Sequence, residues 1–442
     1  MAGIITIFGA SASCEALIEQ LVQLGYQITL VDNDLSALTH FEKNYNIITI
    51  HGKPSHPEVI KSSLSDETQY LIAMTQDDET NLLTCYIAKS ITAVTTITCI
   101  HDSAYLSKSE NIYTHAIDYT IHINQSIIED IKHIFIHPEF IHANYIGGGY
   151  LSASVKLTED HPWTGISLEK MENSTPKSCV ISGLYRDGVW RSFRKNTRTT
   201  EGDILLVVIH QDQLASIANQ PPCTEILFLG NSTLAISCCQ YFSKQNTTTL
   251  LEPNKKLCNL AASQLPKTEV IHTNPENKKT LMTMISRNQT VAALSPDDEN
   301  NLVYSFQAYD TGALQTFNLI NKIREGHIFE SSPISHMVLK TQIISDHIMR
   351  NILSEKKVCY YYTRPNLLQL IILEILPEHP FCNQTINDLS LDPHIIIGCI
   401  IRDEKPLFTE KTTALLAGDK LLIYTPHKAH DSNPAIKALL SQ

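Results

Sequence analysis

The chain has 442 residues, 43% of them apolar and 18% charged, which excludes a disordered chain and leaves room for two to four domains, each with its own core. Lys and Arg number 34 against 46 Asp and Glu, a net charge of −12, so a basic surface for nucleic acid is excluded. The 11 cysteines stand singly apart from Cys238-Cys239 and none lies in a Cys-x-x-Cys spacing, which excludes that kind of zinc or dithiol motif and fits a reducing compartment.

The opening "MAGIITIFGASASC" has no Lys or Arg before Lys43, so it is not expected to be an export signal. Within it, "GIITIFG" reads as a strand that closes on Gly9. Leu17, Leu21 and Leu24 then recur with helical spacing up to Gly25. "QITLVD" (27–32), "IITIHG" ending at Gly52, "YLIAMT" (70–75) and "TTITCI" (95–100) are further short β-rich runs, separated by helix-length segments. Strands this apolar on both faces point to a parallel, doubly wound sheet.

A dinucleotide-binding turn needs a Gly for the tight bend and small residues where backbone amides approach the phosphates. Here the turn reads Gly9-Ala10-Ser11-Ala12-Ser13-Cys14: only the first Gly is kept, but every replacement is small. Asp32 ends the second strand, where a carboxylate accepts the ribose hydroxyls and repels a 2′-phosphate, favouring NAD or an adenine nucleotide over NADP. The same small residues would equally serve a plain strand-to-helix turn.

At "TQDDETNL" Thr75 closes a strand and Asp77, Asp78 and Glu79 open a helix, where carboxylates cap free N–H groups. That helix is not expected to cradle phosphate. Thr75 and Gln76 are placed to reach the cofactor from the sheet edge, while Asp78, Glu79 and Asn81 hold structure. His133 and His137 have metal-pair spacing, but Pro138 follows and no third ligand is evident, so no metal is expected. The apolar runs at 203–209 and 367–376 are too short to span a bilayer.

The second half repeats the first. "TQDDETNL" returns as "SPDDENNL" from Ser295, 220 residues on; "EILFLG" ends at Gly230 as the first strand ends at Gly9, and "TTTLLE" puts Glu252 where Asp32 stood. Three further marks follow each sheet: "HPW" at His161 and "HPF" at His379, Arg186-Asp187 and Arg402-Asp403, Gly202-Asp203 and Gly418-Asp419. With Pro221-Pro222 as the hinge, the expected fold is α/β: two tandem Rossmann-like doubly wound parallel sheets, each followed by a small α+β lobe. The domains read as 1–140, 141–219, 223–353 and 354–442, the third a degenerate copy of the first.

This order resembles the peripheral regulatory subunits of Trk-type potassium uptake, the TrkA family of tandem RCK or KTN domains. The resemblance covers essentially the whole chain and is clearest at Ser55-His56-Pro57 and Asp78-Glu79-Thr80-Asn81. It implies a cytoplasmic regulator, peripheral on the inner face of the membrane, that binds NAD(H) or ATP/ADP and docks under a potassium-translocating membrane subunit. It also implies a homo-oligomer in which two tandem chains form a four-unit ring. The implied cofactor-binding residues are Gly9, Ala10, Ser11, Ala12, Ser13, Asp32, Thr75, Gln76 and Cys99, with Gly230 and Glu252 in the second copy. The family's second and third glycines are missing from both turns, Thr273 stands where Gly52 stood, and Cys99 and His101 occupy the end of the fifth strand where the family often has Arg. An NAD-dependent oxidoreductase is the alternative, but duplication suits symmetric assembly better than catalysis. A regulator of another cation channel or antiporter also matches the pattern.

Overall fold

The computed structural model describes residues 3–102, 105, 117–176, 179–187, 189–192, 197–230, 232–286, 289–322, 334–354, 358–362, 368–389, 391, 395–407 and 412–426. Asn231 of the second turn and residues 427–442 of the expected last lobe lie outside them.

The first sheet is built from β1 (Ile4–Phe8), β2 (Gln27–Asp32), β3 (Ile48–His51), β4 (Thr68–Ala73), β5 (Thr95–Ile100) and β6 (Tyr119–His122). All pairs are parallel and the order is β3-β2-β1-β4-β5-β6, the doubly wound order of dinucleotide-binding folds. Helices α1 (Ala12–Gln23), α2 (Leu35–Asn44), α3 (Pro57–Ser63), α4 (Asp78–Ile91) and α5 (Ile123–Ile136) connect and follow the strands. Leu17 and Leu21 of the predicted stripe are fully buried, and α1 stops where Gly25 takes φ +82°. Strand β6 has four residues and is not among the runs read from the sequence.

A smaller antiparallel lobe follows: β7 (Phe140–Gly147), β8 (Tyr150–Lys156), α6 (Leu168–Ser174), β9 (Cys179–Arg186), β10 (Val189–Ser192) and β11 (Ile204–His210), with strand order β10-β9-β11-β8-β7. The second half repeats both parts. Its parallel sheet holds β12 (Glu225–Leu229), β13 (Thr247–Glu252), β14 (Thr268–His272), β15 (Gln289–Ala293), β16 (Gln315–Ile320) and β17 (His336–Leu339), in the order β14-β13-β12-β15-β16-β17. Its helices are α7 (Thr233–Phe242), α8 (Lys255–Gln264), α9 (Lys278–Met284), α10 (Asp298–Thr311) and α11 (Lys340–Ser354). The last lobe orders β18 (Val358–Tyr362), β19 (Leu368–Glu374), β20 (Ile396–Arg402), β21 (Lys405–Leu407) and β22 (Lys420–Pro426) as β18-β19-β22-β20-β21.

The two halves do not bury separate cores, contrary to the expectation of one core per domain. Each crossover helix packs on the sheet layer of the other half. Phe135, near the end of α5, sits among Phe228, Phe242 and Phe317 with centroid separations of 6.3, 5.1 and 3.9 Å. Burying one such ring contributes about 1.5–3 kcal/mol. In return α11 lies along α1, where the Ser345 hydroxyl donates to Gln20 Oε1 at 3.1 Å and the Tyr70 hydroxyl donates to the Ile352 carbonyl at 3.3 Å. The small lobes also share a core, in which Tyr150 and Val208 of the first meet Leu370, Ile372, Ile396 and Tyr424 of the second, and the Ser152 and Tyr424 hydroxyls are 2.7 Å apart.

The repeated marks are structural clips. Asp203, 1% exposed on its side chain, receives Arg186 through Nε at 2.8 Å and Nη2 at 2.6 Å, while Arg186 Nη2 also donates to the Arg198 carbonyl. Arg402 and Asp419 repeat this at 2.7 and 2.7 Å, with Ala414 giving the carbonyl. Two marks that look separate in the sequence are thus the two ends of one ion pair. At the third, the Trp163 N–H donates to His161 Nδ1 and the Phe381 N–H to His379 Nδ1, each at 3.1 Å.

Removing one partner of such a pair strands a buried charge. Arg186→Met and Arg402→Met are each expected to cost about 3–5 kcal/mol, read as a lower urea midpoint. Burial pushes the Asp203 carboxyl up, but the Arg186 and Thr200 hydrogen bonds outweigh it and hold the group below its ordinary range. A depressed pKa gives stability at neutral pH that is lost as pH falls through the folded value. Wild type should therefore lose this contribution on acidification below about pH 4, and Arg186→Met should have little left to lose there.

Candidate functional site

The carboxyl ends of β1, β2 and β4 meet around Gly9. Its φ is +115°, and a Cβ there would stand 2.8 Å from the Met74 carbonyl oxygen and the Thr75 nitrogen, so only Gly allows the turn to close on β4. Gly230 has φ +88° and would bring a Cβ to 2.7 Å from Ser295 Cβ. The first Gly survives in both copies because the sheet edge needs it.

Asp32 anchors the turn. Its Oδ2 accepts from the Ala10 N–H at 2.6 Å and its Oδ1 from the Asp34 N–H at 2.8 Å. Each oxygen keeps a further lone pair, and Asp32 lines a cavity of about 430 Å³ together with Gly9, Ala10, Ser11, Lys53 and Gln76. A second cavity, of about 420 Å³, adjoins it: Ser11, Thr75 and Gln76 line both, and Ala12, Ser13, Cys99 and His101 continue into the second. Together they form a groove of the size that small-molecule ligands use. Ser11 is the N-cap residue of α1; its carbonyl accepts from the Cys14 N–H at 2.9 Å, but its side chain caps none of the first-turn amides. Cys14, at the position of the missing third Gly, is fully buried against the core.

The acidic stretch holds the far wall. Asn81 Oδ1 accepts from the Thr75 N–H at 2.8 Å and the Thr75 hydroxyl at 2.7 Å, and its Nδ2 donates to the Thr75 and Cys99 carbonyls, each at 3.0 Å. Asp78 accepts from the His101 and Asp102 amides at 3.0 and 2.9 Å, and Asp77 caps Thr80. Asn301 and Asp298 repeat these bonds on Ser295, Leu319, Asn321 and Lys322. The duplicated stretch is a clip that pins strands four and five together beside each cleft. Its Thr75 hydroxyl is committed to Asn81, which leaves the Thr75 side chain a wall of the groove.

The second copy is built differently. Ser232 accepts from the Ala235 N–H at 3.0 Å, so α7 caps itself. Glu252 is 1% exposed; burial pushes its carboxyl up, Oε1 accepts from the Asn254 N–H at 2.5 Å, and Oε2 has no hydrogen-bond partner among the described residues. The cavity here, about 450 Å³, is mostly apolar, with Leu234, Ile236, Leu257, Leu260 and Leu319 beside Ser232 and Lys340, and neither Gly230 nor Glu252 lines it.

Lys53 and His101 line the groove without being among the residues expected from the sequence. Lys53 directly follows Gly52 past the end of β3, a position the strand pattern does mark as lying at the sheet's carboxyl edge. His101 stands out in the sequence only as replacing an Arg; its Nδ1 lies 3.0 Å from Asp78 Oδ1. Around the end of α5 His137 is buried and His133 half-buried, and burial pulls the His133 imidazole down to about 4. Among the described residues no three His, Cys, Asp or Glu are grouped to hold a metal ion, and no helix is long and apolar enough to cross a membrane.

Residues 5–123 match the TrkA-N domain family. Over its whole length the chain is similar to proteins named Trk system potassium uptake protein TrkA: it is 21% identical to that of Haemophilus influenzae over 96% of both chains. To that of Halomonas elongata it is also 21% identical, again over 96% of both. Among solved structures, the GsuK RCK domain superposes with a TM-score of 0.65 at 16% identity, covering 100% of this chain and 95% of that one. The GsuK channel bound to NAD gives 0.63 at 15% identity over 99% of this chain and 79% of that one. The fold is therefore that of tandem RCK domains.

Proposed function

We propose that this chain, a tandem RCK-type protein similar throughout to the Trk potassium uptake proteins, is a nucleotide-binding regulatory subunit that gates a membrane potassium transporter. The observation that carries the reading is the duplication itself: two doubly wound sheets whose crossover helices are exchanged, each followed by the same small lobe. In those lobes the repeated Arg, Asp and His residues are committed to clips. This supports a regulator in preference to an oxidoreductase with a catalytic domain. We read the domains as 1–140, 141–219, 223–353 and 354–442.

The ligand is NAD(H) or an adenine nucleotide, held in the first half. Asp32 is placed to accept ribose hydroxyls, and the amides at the start of α1 face the same groove as the phosphates would. Ser11, Ala12, Ser13, Thr75, Gln76 and Cys99 form the walls. Calorimetry with NADH, NAD, ATP and ADP on the purified chain tests this, and binding of none would reject it.

The partner is a potassium-translocating membrane subunit, and the chain works at the inner face of the membrane as a homo-oligomer, two tandem chains closing a ring of four units. Support for assembly comes from matched apolar residues on the outer faces of two corresponding helices: Leu83 and Tyr86 on α4, 47% and 65% exposed, and Val303 and Phe306 on α10, 44% and 37% exposed. Such repeated exposure marks an interaction surface. Tyr86→Glu combined with Phe306→Glu is expected to leave a monomer by light scattering at micromolar concentration, while wild type is a dimer of chains or larger. A monomeric wild type would reject the ring.

A further inference from the structure

The cavity beyond the α1 turn is closed by the other half of the chain. Its far wall is Pro296, Asn321, Lys322, Lys340 and Ile344. Lys340 is the first residue of α11, and the packing of α11 along α1 carries it over the first half's cleft. The residue that begins the equivalent helix α5 is Ile123, which lines the same cavity. The crossover helices thus bring one lysine and one isoleucine to this cleft, where Lys340 stands beside Lys322 of the segment after β16.

The lysine has no committed use. It makes no hydrogen bond or ion pair among the described residues. Asp298, the carboxylate whose charge it feels, is already occupied by the Asn321 amide and side chain and the Lys322 amide. Lys340 is half-buried, and burial pulls its ammonium below the ordinary lysine range. Desolvating such a cation further is costly unless an anion enters beside it. The first turn of α1 stands in the same cavity, with the Ser11 side chain not capping it, and among the described residues no carboxylate lines that cavity.

We propose that Lys340, supplied by the second half, is a phosphate-binding residue of the first half's nucleotide cleft. A phosphorylated ligand there is held between the α1 amides of one half and the ammonium of the other, so that its phosphates tie the halves together. This rests on reading the first cleft as a nucleotide site. It also gives the second half a role even though its own cavity is mostly apolar: Lys340 reaches that cavity too, but serves the first half's cleft.

The test compares the full chain with Lys340→Met, which keeps the apolar stem and removes the charge, and with Lys340→Arg. ADP and adenosine are the probes, in calorimetry and thermal melting. The expected result is an ADP affinity lower by about 10- to 100-fold in Lys340→Met, near wild type in Lys340→Arg, and adenosine affinity within about twofold in all three. Ligand-free Lys340→Met should melt no lower than wild type, since a half-buried cation with no acceptor among the described residues has been removed, which separates lost binding from lost folding. If wild type binds ADP and Lys340→Met binds it equally well, the inference is overturned and the nucleotide reading stands. If wild type binds neither probe nor NAD, that reading fails and the inference with it.

Discussion

Replacing Asp32 by Ala is expected to abolish nucleotide binding, and replacing Glu252 by Ala to leave it intact. Asp32 stands at the end of β2 with its carboxylate on the wall of the groove, fixed by the Ala10 and Asp34 amides. A hydrogen bond to a charged group is worth about 1.5–3 kcal/mol. Losing two ribose hydroxyl contacts therefore lowers affinity about 10²- to 10⁴-fold. Because Asp32 also holds the turn, Asp32→Asn serves as the partner variant: it keeps one oxygen acceptor and should retain part of the binding. Glu252 occupies the matching strand end but is buried, its carboxyl raised by that burial and turned away from an apolar cavity. Pro253 follows it and fixes the backbone there. Calorimetry reads both variants, and the reverse pattern would move the site to the second half.

Much of this architecture is legible in the sequence because parallel strands buried on both faces announce themselves as short apolar runs, and because Gly9 and Gly230, both at positive φ, sit too close to the neighbouring strand end to leave room for a Cβ. The duplicated acidic stretch is legible as a repeat and as a helix start. Its use of Asn81 and Asn301 to tie two strand ends is not, since the bonds reach carbonyls 18 residues away at Cys99 and Leu319. Asp32 and Glu252 look alike for the same reason in reverse: strand register places both at a sheet edge, but only tertiary packing decides which carboxylate faces a groove. The exchange of α5 and α11, and with it the position of Lys340, depends on contacts between residues more than 150 positions apart, such as Thr290 with Phe135. Local pattern carries no trace of such a contact.

The second large effect is expected in the cell. A ligand moves an equilibrium between two arrangements only by binding one better than the other. A cleft whose walls come from both halves is built to do so, because a change in the relation of the halves changes the cleft. At a typical coupling of about 1–3 kcal/mol, occupancy changes partner activity by about 5- to 150-fold. The most direct measurement is potassium uptake in cells lacking this chain, complemented with nothing, with wild type or with Asp32→Ala. The account predicts low uptake without the chain, restoration by wild type, and failure of Asp32→Ala to restore nucleotide-responsive uptake; uptake unchanged by deletion would contradict it.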